Sequence, residues 1–132
     1  MMNEQSKAKF LEVLNNNSKH SIIVEGLDPR EIGGAVVIPA TITPFDLGSL
    51  SNDKPVWVAQ LERMGPGRKF LIIDRIDILN EDDQEKFAWL LTNRQDNGYK
   101  LGADVQILLA IPNGSLQKVC HKIKSLCINW KI

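Results

Sequence analysis

One acid at the end of an apolar run is the first residue of this sequence that could take part in chemistry. In the stretch KFLIID, four apolar residues precede Asp74. Such a run predicts a strand that is buried on both faces of a parallel sheet. Ligands bind beyond the carboxyl ends of strands in such sheets, so Asp74 is a candidate binding residue. The structural alternative is that Asp74 only caps the turn that follows.

A second polar residue is expected at the same edge. Asn113 follows the apolar run VQILLAI and Pro112. If both runs are parallel strands of one sheet, their carboxyl ends meet at one edge, and Asp74 and Asn113 lie near each other.

The elements that would position these residues alternate along the chain. Alternation of strands and helices predicts an α/β fold, with a mostly parallel sheet and flanking helices in three layers. Predicted strands lie at 22–26, 69–74, 104–112 and 126–132, with an edge strand or bent loop at 35–42, which Pro39 and Pro44 interrupt. Four helices are predicted from their amino-terminal caps, which are Ser6, Asn52 or Asp53, Asn80 and Ser115. The second of these helices has Pro55 in its first turn, and the helix from Asn80 ends at 96–98.

Length and composition fit one soluble domain over residues 1–132. Sixteen Lys and Arg balance sixteen Asp and Glu, so net charge does not favour nucleic acid. Direct nucleic-acid binding finds support only in the local bases Arg63, Arg68 and Lys69. No apolar run reaches the roughly 20 residues of a membrane span. The first ten residues lack a signal-peptide pattern and the chain has two cysteines, which favours reduced thiols and the cytoplasm.

Residues 69–114 together resemble the central part of AAA+ ATPases, particularly the MoxR-like branch. In that resemblance Asp74 corresponds to the residue that organises magnesium, and Asn113 approximates the sensor on the adjacent strand. The remaining matches are Gln84, Leu90 and Leu91 in the helix and Gly98 and Leu101 in the turn. The resemblance implies a reduced core of the P-loop NTPase type.

The departures from that family argue against catalysis. The phosphate-binding string G-x-x-x-x-G-K-[ST] is absent, and the segment after the first strand carries Asp28 and Glu31 where phosphate would lie. Arg75 stands where the family has its water-activating glutamate, and an arginine cannot accept a proton. We therefore expect no enzyme activity and no cofactor. ATP and magnesium enter only under the alternative, an ATPase component with atypical phosphate-binding residues or a site that a partner subunit completes.

Two arginines have open roles. Arg75 either binds a phosphate or forms a salt bridge with an acid such as Asp77 or Glu81, and the salt bridge is favoured. Arg75 and Arg94 are also candidates for an arginine finger offered to a neighbouring subunit.

The other candidates concern metal and protein contact. Cys120, His121 and Cys127 lack paired C-x-x-C spacing, so we expect core cysteines and no metal site. Trp89 falls beside the apolar stripe of its predicted helix, where it either marks an interface or covers the sheet edge. The sequence therefore predicts a non-catalytic, AAA+-like interaction or regulatory module, with a protein partner or homo-oligomer, no membrane and no nucleic acid.

Overall fold

The chain folds as alternating strands and helices. The structure is a computed structural model that describes residues 3–41, 50–51, 54–96 and 99–132. Its strands are β1 (Ser21–Glu25), β2 (Ala35–Pro39), β3 (Leu50–Ser51), β4 (Lys54–Pro55), β5 (Lys69–Asp74), β6 (Gln95–Asp96), β7 (Tyr99–Lys100), β8 (Val105–Ile111) and β9 (Cys127–Lys131). Its α-helices are α1 (Glu4–Asn16), α2 (Val56–Arg63), α3 (Glu81–Glu85), α4 (Ala88–Asn93) and α5 (His121–Leu126), and short 3-10 turns are formed by Pro29–Glu31, Ile76–Ile78 and Leu116–Lys118.

Five strands form one parallel sheet in the order β2-β5-β8-β1-β9. All seven residues of β8 are buried, as expected for a central strand covered on both faces. The pairs β3–β4 and β6–β7 are short antiparallel ladders outside this sheet. The predicted α/β class with a parallel sheet and flanking helices is confirmed.

The sheet separates two apolar cores, which gives the fold its three layers. On one face Phe10 and Leu14 of α1 pack against alternate residues of the strands, such as Ile22 and Leu108. Helices α2, α4 and α5 cover the other face through a larger cluster, of which Phe87 is a fully buried member. The alternation of side chains along each strand sends successive residues to opposite cores.

Several helix boundaries differ from the prediction. Helix α1 begins at Glu4 because Asn3, not Ser6, is its cap: Asn3 Oδ1 accepts a hydrogen bond from Ser6 N at 2.7 Å. The helix predicted from Asn80 is divided by a tightened turn, in which Phe87 N donates to Gln84 O at 3.0 Å. It ends at Asn93, before the predicted closure, since Arg94 is left-handed and residues 95–96 enter β6.

Ser115 does not cap a helix. It precedes a 3-10 turn, makes no side-chain cap bond, and α5 begins only at His121. The interruption has a physical cause, because Gln84 Oε1 accepts the N–H of Cys120 at 2.6 Å and so removes that donor from any helical ladder.

The predictions for the proline-containing segments have different outcomes. β2 lies at the edge of the sheet and ends at Pro39, as its prolines favoured. Pro55 lies in β4, immediately before α2, while the proposed caps Asn52 and Asp53 and the residues Pro44 and Gly98 lie outside the described part of the chain. Within that part, no helix combines the length and the apolar character that a bilayer span requires.

Candidate functional site at the carboxyl edge of the sheet

Asp74 and Asn113 lie at the same edge of the sheet. Strands β5 and β8 are neighbours, and their register pairs Asp74 with Ala110, so Asn113 follows the end of the adjacent strand. β1 ends at this edge too, because its register pairs Glu25 with Ile111. The carboxyl ends of three adjacent strands thus frame the candidate site.

Asp74 is the acid at the end of β5. It is half-buried and, within the described residues, its carboxylate makes no hydrogen bond or ion pair. Desolvation raises the pKa of Asp74, with smaller upward contributions from the charges of Asp77 and Asp28, while Arg75 acts in the opposite direction. Only its backbone is engaged, since Asp74 O accepts the N–H of Ala40 at 2.8 Å. The carboxylate is therefore free to meet a ligand, and it does not cap the turn.

Arg75 is directed to a buried acid. Its backbone is left-handed, at φ 69°, and its side chain donates from Nε to Asp77 Oδ1 at 3.0 Å and from Nη2 to Asp77 Oδ2 at 3.2 Å. The Asp77 side chain is fully buried, whereas that of Arg75 is 46% exposed. The hydrogen bonds to Asp77 raise the pKa of the Arg75 guanidinium. The salt bridge favoured from the sequence thus forms, with Asp77 as the acid.

The topological switch point of the sheet lies between β1 and β8. The connection after β1 runs to β2 at one edge, and the connection after β8 runs to β9 at the other. Parallel sheets form a crevice where neighbouring connections diverge in this way, and ligands commonly bind in it. The switch point is therefore the place where a nucleotide phosphate would be sought.

Asn113 lies against the end of β1 at this crevice. A Cβ placed on Gly26 would lie only 2.8 Å from Oδ1 of Asn113, and Gly26 has a φ of 86°. Gly26 is thus the residue that allows Asn113 to lie against the β1 backbone. Beside it, Gly114 N donates to Glu25 Oε1 at 3.3 Å. Asn113 contacts the end of β1 and is oriented by that contact.

The segment after β1 lacks the features of a phosphate cradle. Only the 3-10 turn Pro29–Glu31 separates β1 from β2, so no helix amino terminus faces the crevice from this connection. Asp28 caps the turn by accepting the N–H of Arg30 at 3.0 Å, and its carboxylate also binds the Arg30 side chain. The hydrogen bonds to Arg30 lower the pKa of Asp28, so a carboxylate charge is retained here.

The two interface candidates lie away from this edge. Arg94 Nη2 donates to Gly102 O at 3.0 Å and also to Val105 O, at the start of β8. Burial lowers the pKa of the Arg94 guanidinium. Arg94 is therefore at the amino edge of the sheet, opposite Asp74, and it binds the chain's own backbone. Trp89, on α4, is 60% exposed, which agrees with its predicted place beside the apolar stripe.

Two buried polar residues organise the loops: Gln84, which the sequence indicated only as a match to the family helix, and Gln106, which it did not indicate. Gln84 Nε2 donates to Leu79 O and Lys118 O, and its Oε1 accepts from Cys120. Gln106 Nε2 donates to Asn17 O and His20 O. A polar residue inside a fully apolar run, as Gln106 is, was the one available signal.

Two of the three local bases, Arg68 and Lys69, are engaged in the fold, whereas Arg63 is exposed. Arg68 Nη2 donates to Leu14 O and to Gln106 Oε1, each at 2.6 Å, and thereby ties α1 to the sheet. Lys69 Nζ binds Asp104 Oδ2 at 3.0 Å. The Arg68 guanidinium and the Lys69 ammonium are thus not free positive charges for a polyanion.

The remaining features are a cavity and the thiols. A cavity of about 190 Å³ lies between α2 and the start of β8, at the amino edge, with Trp57, Leu61 and Val105 among its lining residues. Cys120 and Cys127 are free thiols, and burial raises the pKa of Cys127 to about 12. The described residues contain no group of three or more His, Cys, Asp or Glu that could hold a metal ion.

Comparison with known proteins does not assign the chain to a family. No family model matches it, and no curated protein matches its sequence. Function has to be argued from the geometry.

Proposed function

We propose that this chain is a non-catalytic interaction or regulatory module with a reduced, AAA+-like core. The observation that carries the proposal is the contact between Asn113 and Gly26, whose potential Cβ position lies 2.8 Å from Asn113 Oδ1. This contact lies at the switch point, where an α/β sheet of this kind would receive phosphate. We expect a phosphate at this point to compete with the Asn113 side chain for space.

The charges at the same edge support the absence of hydrolysis. The residue after Asp74 is an arginine whose guanidinium is held by a buried carboxylate, so it neither accepts a proton from water nor points freely to a phosphate. Asp28, with its lowered pKa, stays ionised, but the Arg30 guanidinium binds its carboxylate, so this pair carries no net charge. The segment after β1 therefore offers a phosphate neither a lysine nor a helix amino terminus.

Protein contact is the activity that remains, and Trp89 is its best-supported residue. An indole that is 60% exposed on a short helix has little role in the chain's own core, and exposed tryptophans are enriched in binding hot spots. The proposed partner is a protein or a second copy of the chain. A cytoplasmic location, which the free thiols of Cys120 and Cys127 favour, is part of the proposal.

The alternative is an ATPase component whose site a partner subunit completes. Its support is the unpaired carboxylate of Asp74, which lies beside the adjacent strand that leads to Asn113. This is the arrangement that the family resemblance implies for a magnesium-organising acid and its sensor residue. In this case ATP and magnesium would be the cofactors.

Isothermal titration with Mg-ATP separates the two functions. The non-catalytic proposal expects no binding tighter than about 1 mM, which is equivalent to about −4 kcal/mol. The matched variant is Asp74→Asn, which removes the charge and keeps the shape of the side chain. Micromolar binding in the wild type that is lost in Asp74→Asn would instead establish the alternative.

A further inference from the structure

One edge of the main sheet has an open row of backbone groups. Among the described strands, only β1 pairs with β9. Ile132 N donates to Glu25 O at 3.0 Å, which fixes the side of β9 that faces β1. Since backbone groups alternate in direction along a strand, Ile128, Trp130 and Ile132 bond to β1. The N–H and C=O groups of Asn129 and Lys131 consequently point away from the sheet.

The opposite edge of the sheet, formed by β2, is protected against pairing with a further strand. Ala40 N donates to Asp74 O on β5, so the alternate residues of β2, Val37 and Pro39, direct their backbone outward. Pro39 has no N–H, and proline on an edge strand is a recognised block to further pairing. The only comparable device on β9 is the charge of Lys131.

The residues of β9 match one another in an antiparallel register. If a two-fold axis passes beside Asn129, this residue faces Asn129 of the second copy, and the two exchange both backbone hydrogen bonds. Ile128 then lies opposite Trp130 of the other strand, twice over, and pairs of an aromatic with a β-branched residue stabilise antiparallel ladders. Both side chains are half-buried against the α1 core, so pairing would cover their remaining surface.

Two other registers are disfavoured, one by charge and one by the extent of β9. With the axis at Asn129, Lys131 lies opposite Cys127, which is uncharged. An axis at Lys131 would place two ammonium groups directly opposite, which destabilises a ladder. An axis at Cys127 would require Ser125, within α5, to act as strand.

We propose that two copies of this chain associate through antiparallel pairing of β9 centred on Asn129, which joins their sheets into one. This inference goes beyond the proposed function and does not depend on Trp89, which lies on α4.

Sedimentation velocity of the full chain, with a matched pair of proline variants, tests the proposal. Asn129→Pro removes an outward N–H of β9 and leaves the β1 ladder intact, whereas Val37→Pro makes the same change on β2. At about 0.1 mM, where even weak specific dimers are populated, we expect a dimer for the wild type and for Val37→Pro. Asn129→Pro should raise the dissociation constant at least about tenfold, with the circular dichroism of a folded monomer.

A cross-linking experiment keeps the test decisive if a proline variant does not fold. In a background with Cys120→Ala and Cys127→Ala, Asn129→Cys would place two thiols on a hydrogen-bonded pair, with Cα atoms about 5.5 Å apart. This separation suits a disulfide. Mild oxidation should give a covalent dimer for Asn129→Cys and none for Val37→Cys.

The proposal is overturned by a monomeric wild type at that concentration, by an unchanged dimer in Asn129→Pro, or by equal cross-linking of both cysteine variants. Trp89→Ala should leave the dimer unchanged. A loss of the dimer in Trp89→Ala alone would attribute self-association to α4 and reject β9. Mg-ATP binding has no bearing on either result, so this proposal and the proposed function fail separately.

Discussion

The carboxylate of Asp77 is fully buried and binds Arg75 Nε at 3.0 Å, across one intervening residue. This close pairing depends on the left-handed backbone of Arg75, at φ 69°, which is unfavourable for a side chain with a Cβ. The turn after β5 therefore accepts local backbone strain and gains a partner for a buried charge.

Arg75→Ala should lower the free energy of unfolding by about 1–3 kcal/mol, because it leaves the Asp77 carboxylate buried without its partner. Arg75→Gly loses the same salt bridge but relieves the left-handed strain, so it should be less destabilised by about 1 kcal/mol. Urea denaturation of the three proteins measures both effects. Equal losses in the two variants would mean that the strain contributes nothing.

Asp74 should respond to pH in the opposite sense to a paired acid. Because burial raises its pKa in the folded state, protonation favours folding. Its contribution is present below the unfolded pKa, near 3.8, and is lost as pH rises through the raised folded value. The stability of the wild type relative to Asp74→Asn should therefore fall as pH rises from about 4 toward neutrality.

Denaturation of wild type and Asp74→Asn at several pH values provides this comparison. The difference between the two proteins cancels the titration of other acids, including Asp28. If the wild type gains stability on Asp74→Asn with rising pH, its carboxylate has a favourable partner in the folded state.

The sequence predicted the sheet well because its signals are local. Long apolar runs such as those of β5 and β8 suit only strands covered on both faces, and the prolines of β2 are compatible only with an edge. The common edge of Asp74 and Asn113 followed directly, since parallel strands end together. These features do not depend on contacts between distant residues.

The parts that could not be predicted depend on distant partners. A glutamine in the first turn of a helix, such as Gln84, has the pattern of an exposed residue, and its burial requires the backbone of Lys118 and Cys120. Likewise, nothing local indicates that Asn113 lies against Gly26 or that Arg68 reaches the end of α1. The number and direction of such bonds are set only when the strands are assembled.

Gln84→Ala should be strongly destabilising. The side chain is buried and satisfies one carbonyl at Leu79 and, in a second segment, the carbonyl of Lys118 and the N–H of Cys120, so its removal leaves buried polar groups without partners. We expect a loss of about 2–4 kcal/mol in the free energy of unfolding. Thermal and urea denaturation measure it, with the exposed Gln117→Ala as a control that should change stability by less than about 0.5 kcal/mol.

Arg68→Ala should weaken the attachment of α1 to the sheet. Its guanidinium binds Leu14 O and Gln106 Oε1 and lies over the Phe70 ring at 5.2 Å. We expect a loss on the order of 1 kcal/mol and faster hydrogen exchange in α1. Arg63→Ala, at an exposed arginine nearby, is the matched control. If hydrogen exchange in α1 is as slow in Arg68→Ala as in the wild type, Arg68 does not attach α1 to the sheet.

Trp89→Ala should affect binding and leave folding intact. The indole is 60% exposed, so its removal exposes little new apolar surface and should change the free energy of unfolding by less than about 0.5 kcal/mol. If Trp89 anchors a protein partner, the same change should weaken that association by about 2 kcal/mol or more.

A pull-down from the native cytoplasm with three baits separates these effects. Wild type and Thr92→Ala, an exposed change on the same helix, should retain one set of partners that Trp89→Ala loses. The affinity of each recovered partner is then measured by titration, because capture alone does not show a specific contact. Equal affinities for all three baits would assign the interaction to another surface. A melting temperature lowered only in Trp89→Ala would show that this tryptophan stabilises the chain's own fold.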